Sequence, residues 1–199
     1  VAVSSRPEHE IKTALARYSP VCIDCDEINN RNDVRLFVEH KLEQLQKLRP
    51  SNVPKARTKQ AVESIMAKAK GMFLFVKNIF ENDDLDVISL EAIESLPTGL
   101  DEYYETTFQR KFPIDASTGR SPSFDKLLPL LQVFVVAQRE FSASELARVI
   151  HREDDQVLAS LKPLGGLLNL PQAEVNPSTR LRMNHKSVSD WLVSPSRAE

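Results

Sequence analysis

Apolar residues spaced three and four positions apart, in runs that prolines interrupt, constrain the fold of this chain more than any other feature. The clearest run ends at Arg49-Pro50 and contains Val34, Phe37, Val38, Leu42, Leu45 and Leu48. This spacing places the side chains on one face of a helix, and proline ends a helix because it has no amide donor. With 5 Gly and 12 Pro in 199 residues, the sequence predicts a mainly α protein whose helices are separated by proline-marked breaks.

Two short segments near the N-terminus have the composition of strands instead. Residues 1–5 are predicted to end a buried strand at Arg6-Pro7, and residues 20–25 are predicted to form a second strand. Between them a helix is expected over residues 8–18, with Ile11, Leu15 and Tyr18 on one face. Because one short strand is not stable alone, we expect its sheet partners to lie upstream. Residues 1–30 are therefore interpreted as a short α/β remnant of a larger core.

Residues 31–116 are predicted to form a helical bundle domain. Cap-type residues at 30–33 start the first helix, and a polar loop is expected over 51–59. One helix should follow, with apolar positions from Val62 to Phe80. Gly71 within it predicts close approach of a neighbouring backbone, since glycine weakens a helix by about 1 kcal/mol relative to alanine.

The expected core lies in the most apolar stretches of the chain. Residues 71–76 are apolar on almost every side of the helix, which predicts deep burial. The residues chosen for the core are Phe73, Phe75, Val76, Leu131 and Phe134. Helices over residues 85–95 and 101–111, on either side of a break at 96–100, complete the bundle.

Residues 117–199 are predicted to form a winged-helix domain, after a linker rich in proline, serine and threonine at 112–123. A helix over 124–139 comes first, and the spacing of Ser142 and Glu145 matches a capping box that opens a helix through Ile150. The remaining elements are a helix over 154–164, extended segments over 167–170 and 179–184, and a final helix over 186–192. Three helices followed by a β-hairpin are the order of a winged helix.

Charge and hydropathy disfavour two classes of function. The 26 Lys and Arg against 28 Asp and Glu give a formal charge of −2, whereas a polycationic nucleic-acid binder needs an excess of basic residues. The third helix of the predicted winged helix opens with Glu153, Asp154 and Asp155, which would repel phosphates. No apolar run reaches the roughly 18 residues of a membrane span. We therefore expect neither a membrane protein nor a nucleic-acid reader.

Motifs for catalysis or metal binding are scarce. His9, His40, His151 and His185 lie far apart in the sequence, and no phosphate-binding P-loop is present. We therefore expect no catalytic residues, no metal ligands and no enzyme activity from this chain. Cys22 and Cys25 are interpreted as apolar fillers of a strand instead of a redox or zinc pair. Two cysteines exclude a disulfide framework and favour a reducing, cytoplasmic setting.

Two polar residues are candidates for ligand contacts by their position. Arg6 follows the end of a predicted strand, where ligands bind in open α/β sheets and a guanidinium can hold a phosphate. The alternative for Arg6 is a surface ion pair. His185 lies between the last extended segment and the last helix, where the alternative is a capping or packing residue.

Four motifs, taken in order, resemble the NACHT class of signal-transduction ATPases (STAND NTPases). They are Ser4-Ser5-Arg6-Pro7-Glu8, Gly71-Met72-Phe73-Leu74-Phe75-Val76, Leu96-Pro97-Thr98-Gly99-Leu100-Asp101-Glu102-Tyr103-Tyr104 and His185-Lys186-Ser187-Val188-Ser189-Asp190-Trp191-Leu192. The resemblance implies an upstream P-loop domain that, with the helical and winged-helix domains, encloses ADP. It implies that Arg6 senses the γ-phosphate, that Pro97 lies near the adenine and that His185 touches the β-phosphate.

By this resemblance the chain is the regulatory part of an intracellular switch protein. Residues 1–30 would be the end of the nucleotide-binding domain, and the Mg²⁺-dependent nucleotide would be held mainly upstream. Exchange of ADP for ATP would release the winged-helix domain and allow self-association. The expected partners are the P-loop domain and ankyrin or β-propeller repeats of the same parent protein. Any slow ATPase activity would belong to that parent protein. The alternatives are a winged-helix DNA-binding module and a nucleotide-independent helical scaffold for protein interactions.

Overall fold

The computed structural model describes residues 9–21, 28–48, 55–82, 90–137, 139–168 and 176–194. In this part of the chain the fold is mainly helical with a small two-stranded sheet, which confirms the mainly α prediction. The elements in chain order are α1 (His9–Ala16), α2 (Ile28–Leu48), α3 (Lys55–Ala69), α4 (Phe73–Asn82), α5 (Leu90–Glu94), α6 (Gly99–Lys111), α7 (Pro122–Val136), β1 (Phe141–Ser142), α8 (Ala143–Ile150), α9 (Asp154–Leu161), a 3-10 turn (Lys162–Leu164), β2 (Arg180–Leu181) and α10 (Lys186–Leu192).

The two predicted N-terminal strands are not among the described elements. Residues 1–5, Cys22 and Cys25 lie outside the described part of the chain. Val21 is described, belongs to no strand and is 94% exposed, and Tyr18 lies beyond the end of α1 and is 65% exposed. The helix predicted over residues 8–18 thus ends at Ala16, before Tyr18.

The first half of the fold is built on α2, which packs against α3 and α4. Its buried Val34, Val38 and Leu42 recur every fourth residue, as the sequence predicts. The Arg35 guanidinium holds the Glu63 carboxylate of α3 with bonds of 2.7 and 3.1 Å. α3 also packs against α5, and α4 packs against α6. The apolar stripe and this bidentate pair together fix the register of α2 on α3.

Two predicted helix starts are wrong. α2 begins at Ile28, so residues 30–33 lie inside the helix instead of capping it. The Asn30 amide donates instead to the Gly71 carbonyl at 2.9 Å, which joins α2 to the bend after α3. α3 begins at Lys55, inside the segment predicted to be a loop.

The single helix predicted across Gly71 is in fact two helices, α3 and α4. Lys70 and Gly71 have φ of 48° and 75°, and the Met72 amide donates to the Ala69 carbonyl at 2.9 Å. A left-handed glycine after a helix is a common way to end it, because glycine adopts positive φ without steric cost. Gly71 therefore ends α3 and allows the chain to turn before α4.

The new direction of α4 changes which of its side chains are buried. Phe75 and Val76 are fully buried, while Phe73 is 41% exposed and its ring contacts Phe37 at 5.8 Å between centroids. The prediction of Phe73 as a core residue is therefore wrong. Leu131 and Phe134 of α7 are buried as predicted.

The second half of the fold surrounds the small sheet. β1 pairs antiparallel with β2, with Phe141 opposite Leu181, and Met183 forms an antiparallel bridge with Leu168. The chain over residues 180–183 thus pairs with both β1 and Leu168. α7 packs against α8, α9 and α10, and α8 packs against α9. The predicted bounds of α8 and α10 are confirmed, and the predicted helix over 154–164 divides into α9 and the 3-10 turn.

Aromatic rings connect α6 to α10 across the domain boundary predicted at residue 116. The Trp191 ring of α10 contacts Tyr104 at 5.7 Å and Phe108 at 5.0 Å between centroids. Phe108 in turn contacts Phe124 of α7 at 6.4 Å. Side chains from both predicted domains therefore share one hydrophobic core.

None of the helices in the described part of the chain combines the length and apolar character needed to cross a bilayer.

Candidate functional site

The three candidate ligand-contact residues have different positions in the structure. Arg6 lies outside the described residues. Pro97 lies in the turn that precedes α6, and His185 lies immediately before α10. Both described candidates are thus tied to α6, because α10 packs directly against that helix.

Pro97 is a buried residue of the turn between α5 and α6. The Lys68 ammonium group of α3 donates to the carbonyl of its neighbour Leu96. At Gly99 φ is +76°, so the backbone there is left-handed and α6 begins in a new direction. The Thr98 amide donates to the Glu102 carboxylate at 2.8 Å. Pro97 is therefore buried within the turn, and exposed Thr98 is the part of the turn that a ligand could reach.

His185 is the N-cap residue of α10. Its backbone is extended, with φ −150° and ψ 144°, and its Nδ1 accepts the Ser187 amide hydrogen at 3.1 Å. Serine, threonine, asparagine and aspartate are the usual residues here, because a short polar side chain reaches the free amides of the first turn. In this chain the His185 imidazole accepts the amide hydrogen in their place. The capping alternative left open by the sequence is thus confirmed.

The capping hydrogen bond identifies which imidazole nitrogen carries the proton. A neutral imidazole has one N–H, and Nδ1 must be unprotonated to accept a hydrogen bond. The proton is therefore on Nε2. Within the described part of the chain Nε2 has no hydrogen-bond partner, and the side chain is exposed. His185 can therefore cap α10 and donate to an anion at the same time.

Tyr104 and Ser187 extend this arrangement into the core. Ser187 Oγ lies 2.7 Å from His185 Nδ1 and 2.8 Å from the hydroxyl oxygen of buried Tyr104. Burial raises the pKa of the Tyr104 phenol. The phenol therefore keeps its proton under ordinary conditions. The sequence does not indicate a role for either residue, because they are 83 positions apart and come into contact only in the folded structure.

A charged cluster of arginine and glutamate lies at the start of α8. The Glu145 carboxylate accepts from the Ser142 amide at 2.7 Å, from Arg139 at 3.2 Å and from Arg180 at 2.8 Å. The Ser142 hydroxyl accepts from the Glu145 amide at 3.1 Å, which confirms the predicted capping box. These donors, with the Ser142 amide first, hold the pKa of Glu145 below its ordinary value. The arginines of this cluster are thus already engaged by carboxylate.

The N-terminus of α9 carries negative charge. Glu153 is its N-cap residue, and Asp154 and Asp155 occupy the first turn. The Asp154 carboxylate accepts the Ser144 hydroxyl of α8 at 2.6 Å, so it also joins the two helices. In the described residues no three histidine, cysteine, aspartate or glutamate side chains form a group that could hold a metal ion.

Comparisons with protein-family models, with curated proteins and with solved structures found no match to this chain.

Proposed function

We propose that this chain is the regulatory helical and winged-helix portion of an intracellular NACHT-type protein that is switched by ATP and ADP. In this proposal residues 1–30 end the nucleotide-binding domain, residues 31–116 form the helical domain and residues 117–199 form the winged-helix domain. The chain would close over ADP bound to an upstream P-loop domain and would control self-association.

The observation that carries the proposal is the hydrogen bonding of His185. Its Nδ1 is occupied by the Ser187 amide at 3.1 Å, so the exposed Nε2 is a donor. A neutral N–H donor at this place suits a phosphate oxygen. Hydrogen bonds to charged groups stabilise by about 1.5 to 3 kcal/mol. One such bond would thus favour the ADP-bound closed state roughly 10- to 150-fold.

The pairing of the short strands supports the winged-helix part of the proposal. A winged helix needs its first strand beside the last strand of the hairpin, and Phe141 is paired with Leu181. It also needs the two hairpin strands to pair with each other, and Leu168 bridges Met183. With α7 before β1, and with α8 and α9 between β1 and the paired segment at Leu168, the order of elements agrees with that topology.

The proposed switch works through a difference in contacts between two packings. In the closed state His185 would hold the β-phosphate and Pro97 would shape the turn near the adenine, while Arg6 would meet a γ-phosphate only after exchange. A ligand shifts such an equilibrium only by its difference in affinity for the two states. Loss of the His185 bond on exchange would therefore free the winged-helix domain from the P-loop domain and permit oligomerisation.

Acidic residues of α9 argue against the DNA-binding alternative. In a winged helix the third helix enters the major groove and needs basic and amide side chains. Here Glu153 is the N-cap residue of that helix, Asp154 and Asp155 lie in its first turn, and the Asp154 carboxylate accepts the Ser144 hydroxyl at 2.6 Å. Carboxylates at this position would repel the phosphate backbone. A nucleotide-independent scaffold is the alternative that the following experiment separates from the proposal.

The test is the nucleotide content of the full-length protein and of His185→Asn. Asparagine is a good N-cap residue, so this substitution removes the imidazole donor and keeps α10 capped. The purified proteins are denatured and the released nucleotide is identified by chromatography. We expect stoichiometric ADP from the natural protein and at least a tenfold higher ADP dissociation constant for His185→Asn.

His40→Asn is the matched control, because His40 is an exposed histidine on α2 whose ring bonds only locally, to Gln44 at 2.9 Å. It should retain ADP like the natural protein. A folded natural protein without nucleotide would overturn the proposal in favour of a scaffold. Equal ADP affinity in His185→Asn and His40→Asn would overturn the role of His185.

A further inference from the structure

Two hydroxyl groups join His185 to the middle of α6. The Tyr104 hydroxyl oxygen lies 2.8 Å from Ser187 Oγ, which lies 2.7 Å from His185 Nδ1. The N-cap of α10 does not require either group, because the Ser187 amide already donates to Nδ1. The two hydroxyls therefore need an explanation beyond helix capping.

The cap fixes the direction of each hydrogen bond in this chain of groups. Nδ1 accepts the Ser187 amide hydrogen at 3.1 Å, so it is unprotonated, and the Ser187 hydroxyl 2.7 Å away can bond to it only as a second donor that shares the same lone pair. A serine hydroxyl has one hydrogen, so it can only accept from its second partner. Tyr104 is therefore the donor of the 2.8 Å bond. The phenol orients the serine, and the serine orients the imidazole.

Tyr104 is a rigid anchor for these bonds. Its side chain is fully buried, and its ring lies between Tyr103 at 5.8 Å and Trp191 at 5.7 Å from centroid to centroid. Tyr103 also contacts Phe75 of α4 at 6.3 Å. The phenol therefore keeps a fixed position relative to the helical bundle, whereas His185 is exposed and would otherwise be held by the cap alone.

We infer that Tyr104 is a positioning residue for His185: acting through Ser187, it fixes the imidazole with its proton on Nε2 and ties the position of that donor to α6. This inference rests on the proposed function, in which the Nε2 donor meets a phosphate. Separation of α10 from α6 breaks the Tyr104 bond and releases the imidazole. The packing of α10 on α6 is thereby coupled to the affinity for the nucleotide.

The first test is histidine ¹⁵N NMR on this chain at about pH 8, where an ordinary imidazole is neutral. The His185→Asn spectrum identifies the His185 signals. In the natural chain we expect Nδ1 at the shift of an unprotonated acceptor and Nε2 at that of an N–H. Tyr104→Phe and Ser187→Ala leave only the capping amide to hold the ring, so both shifts should move part of the way toward the averaged values of a free imidazole. Ser187→Thr keeps a hydroxyl and should retain the shifts of the natural chain.

Tyr103→Phe is the matched control, because Tyr103 is an equally buried neighbour whose hydroxyl lies outside this chain of groups. It should leave the His185 shifts unchanged. Trp191, the single tryptophan, contacts the Tyr104 ring, so its unchanged fluorescence will show that each variant keeps the packing of α6 on α10. Unaltered His185 shifts in a folded Tyr104→Phe variant would overturn the inference.

The second test is ADP release from the full-length protein. Loss of one orienting hydrogen bond corresponds to about 0.5 to 1.5 kcal/mol, so Tyr104→Phe should release ADP roughly 2- to 12-fold faster than Tyr103→Phe. Equal release rates would contradict the inference even if the natural protein holds ADP. A natural protein without ADP would overturn the proposed function and, with it, the role of Tyr104 in nucleotide binding. The NMR shifts would then still show separately whether Tyr104 orients the His185 imidazole.

Discussion

Two phenylalanines of α4 differ in what they contribute to stability. Phe75 is fully buried, whereas Phe73 is 41% exposed. Phe75→Ala should lower the free energy of unfolding by about 3 to 5 kcal/mol, since it removes a buried ring and leaves a cavity. Phe73→Ala removes a ring that is already partly exposed to water, so it should lower the free energy of unfolding by less than half of that amount. Urea denaturation of the two variants measures the difference.

The contrast between these residues also shows a limit of apolar periodicity. Residues 71–76 are apolar on every side, so their pattern predicts burial without saying which side faces the core. That choice depends on the bend at Lys70 and Gly71, which sets the direction of α4. Equal losses of stability in Phe73→Ala and Phe75→Ala would contradict the packing described for this helix.

The capping box of α8 makes the stability of the chain depend on pH in the acidic range. Hydrogen bonds from Ser142 and Arg139 hold the pKa of Glu145 below its ordinary 4.5. Its stabilising contribution is therefore complete above that value and is lost as the pH falls through the lower folded-state pKa. Glu145→Gln keeps a capping side chain without the charge. We expect this variant to be less stable than the natural chain at neutral pH.

The measurement is urea denaturation of both proteins at neutral pH and at about pH 3, well below the ordinary value of a glutamate. The stability difference should shrink as the pH falls, because the natural carboxylate becomes protonated too. Glu94→Gln, at an exposed position on α5, should show no comparable change. A difference for Glu145→Gln that is constant with pH would argue against a charge-dependent cap.

The elements that the sequence predicted most accurately are those with local signals at their ends. α8 begins after Ser142, where the capping box depends on residues three positions apart. The break between α3 and α4 had a local signal too, in Gly71, but the apolar pattern on both sides favoured a continuous helix. α2 was predicted with the correct face and a late start, because Asn30 is used in a distant bond to Gly71 instead of a cap.

The candidate site is only partly predictable from the sequence. The motif around His185 identified the imidazole, and its position before a helix suggested the capping role that the structure has. The supporting groups could not be found in the same way, because Tyr104 approaches Ser187 only when α6 packs on α10. Such contacts depend on tertiary packing, which neither periodicity nor spacing records.

The same packing of α6 on α10 predicts how the molecule unfolds. Trp191 is 8% exposed and contacts Tyr104 and Phe108, so its fluorescence reports the local packing of α10 on α6. Far-ultraviolet circular dichroism reports all the helices. If the shared aromatic core makes the two predicted domains one cooperative unit, both signals will change at the same urea concentration. Trp191→Phe keeps an aromatic ring and tests whether the fluorescence belongs to this residue. A fluorescence transition at lower urea than the loss of helix would show that the junction opens first, contrary to this prediction.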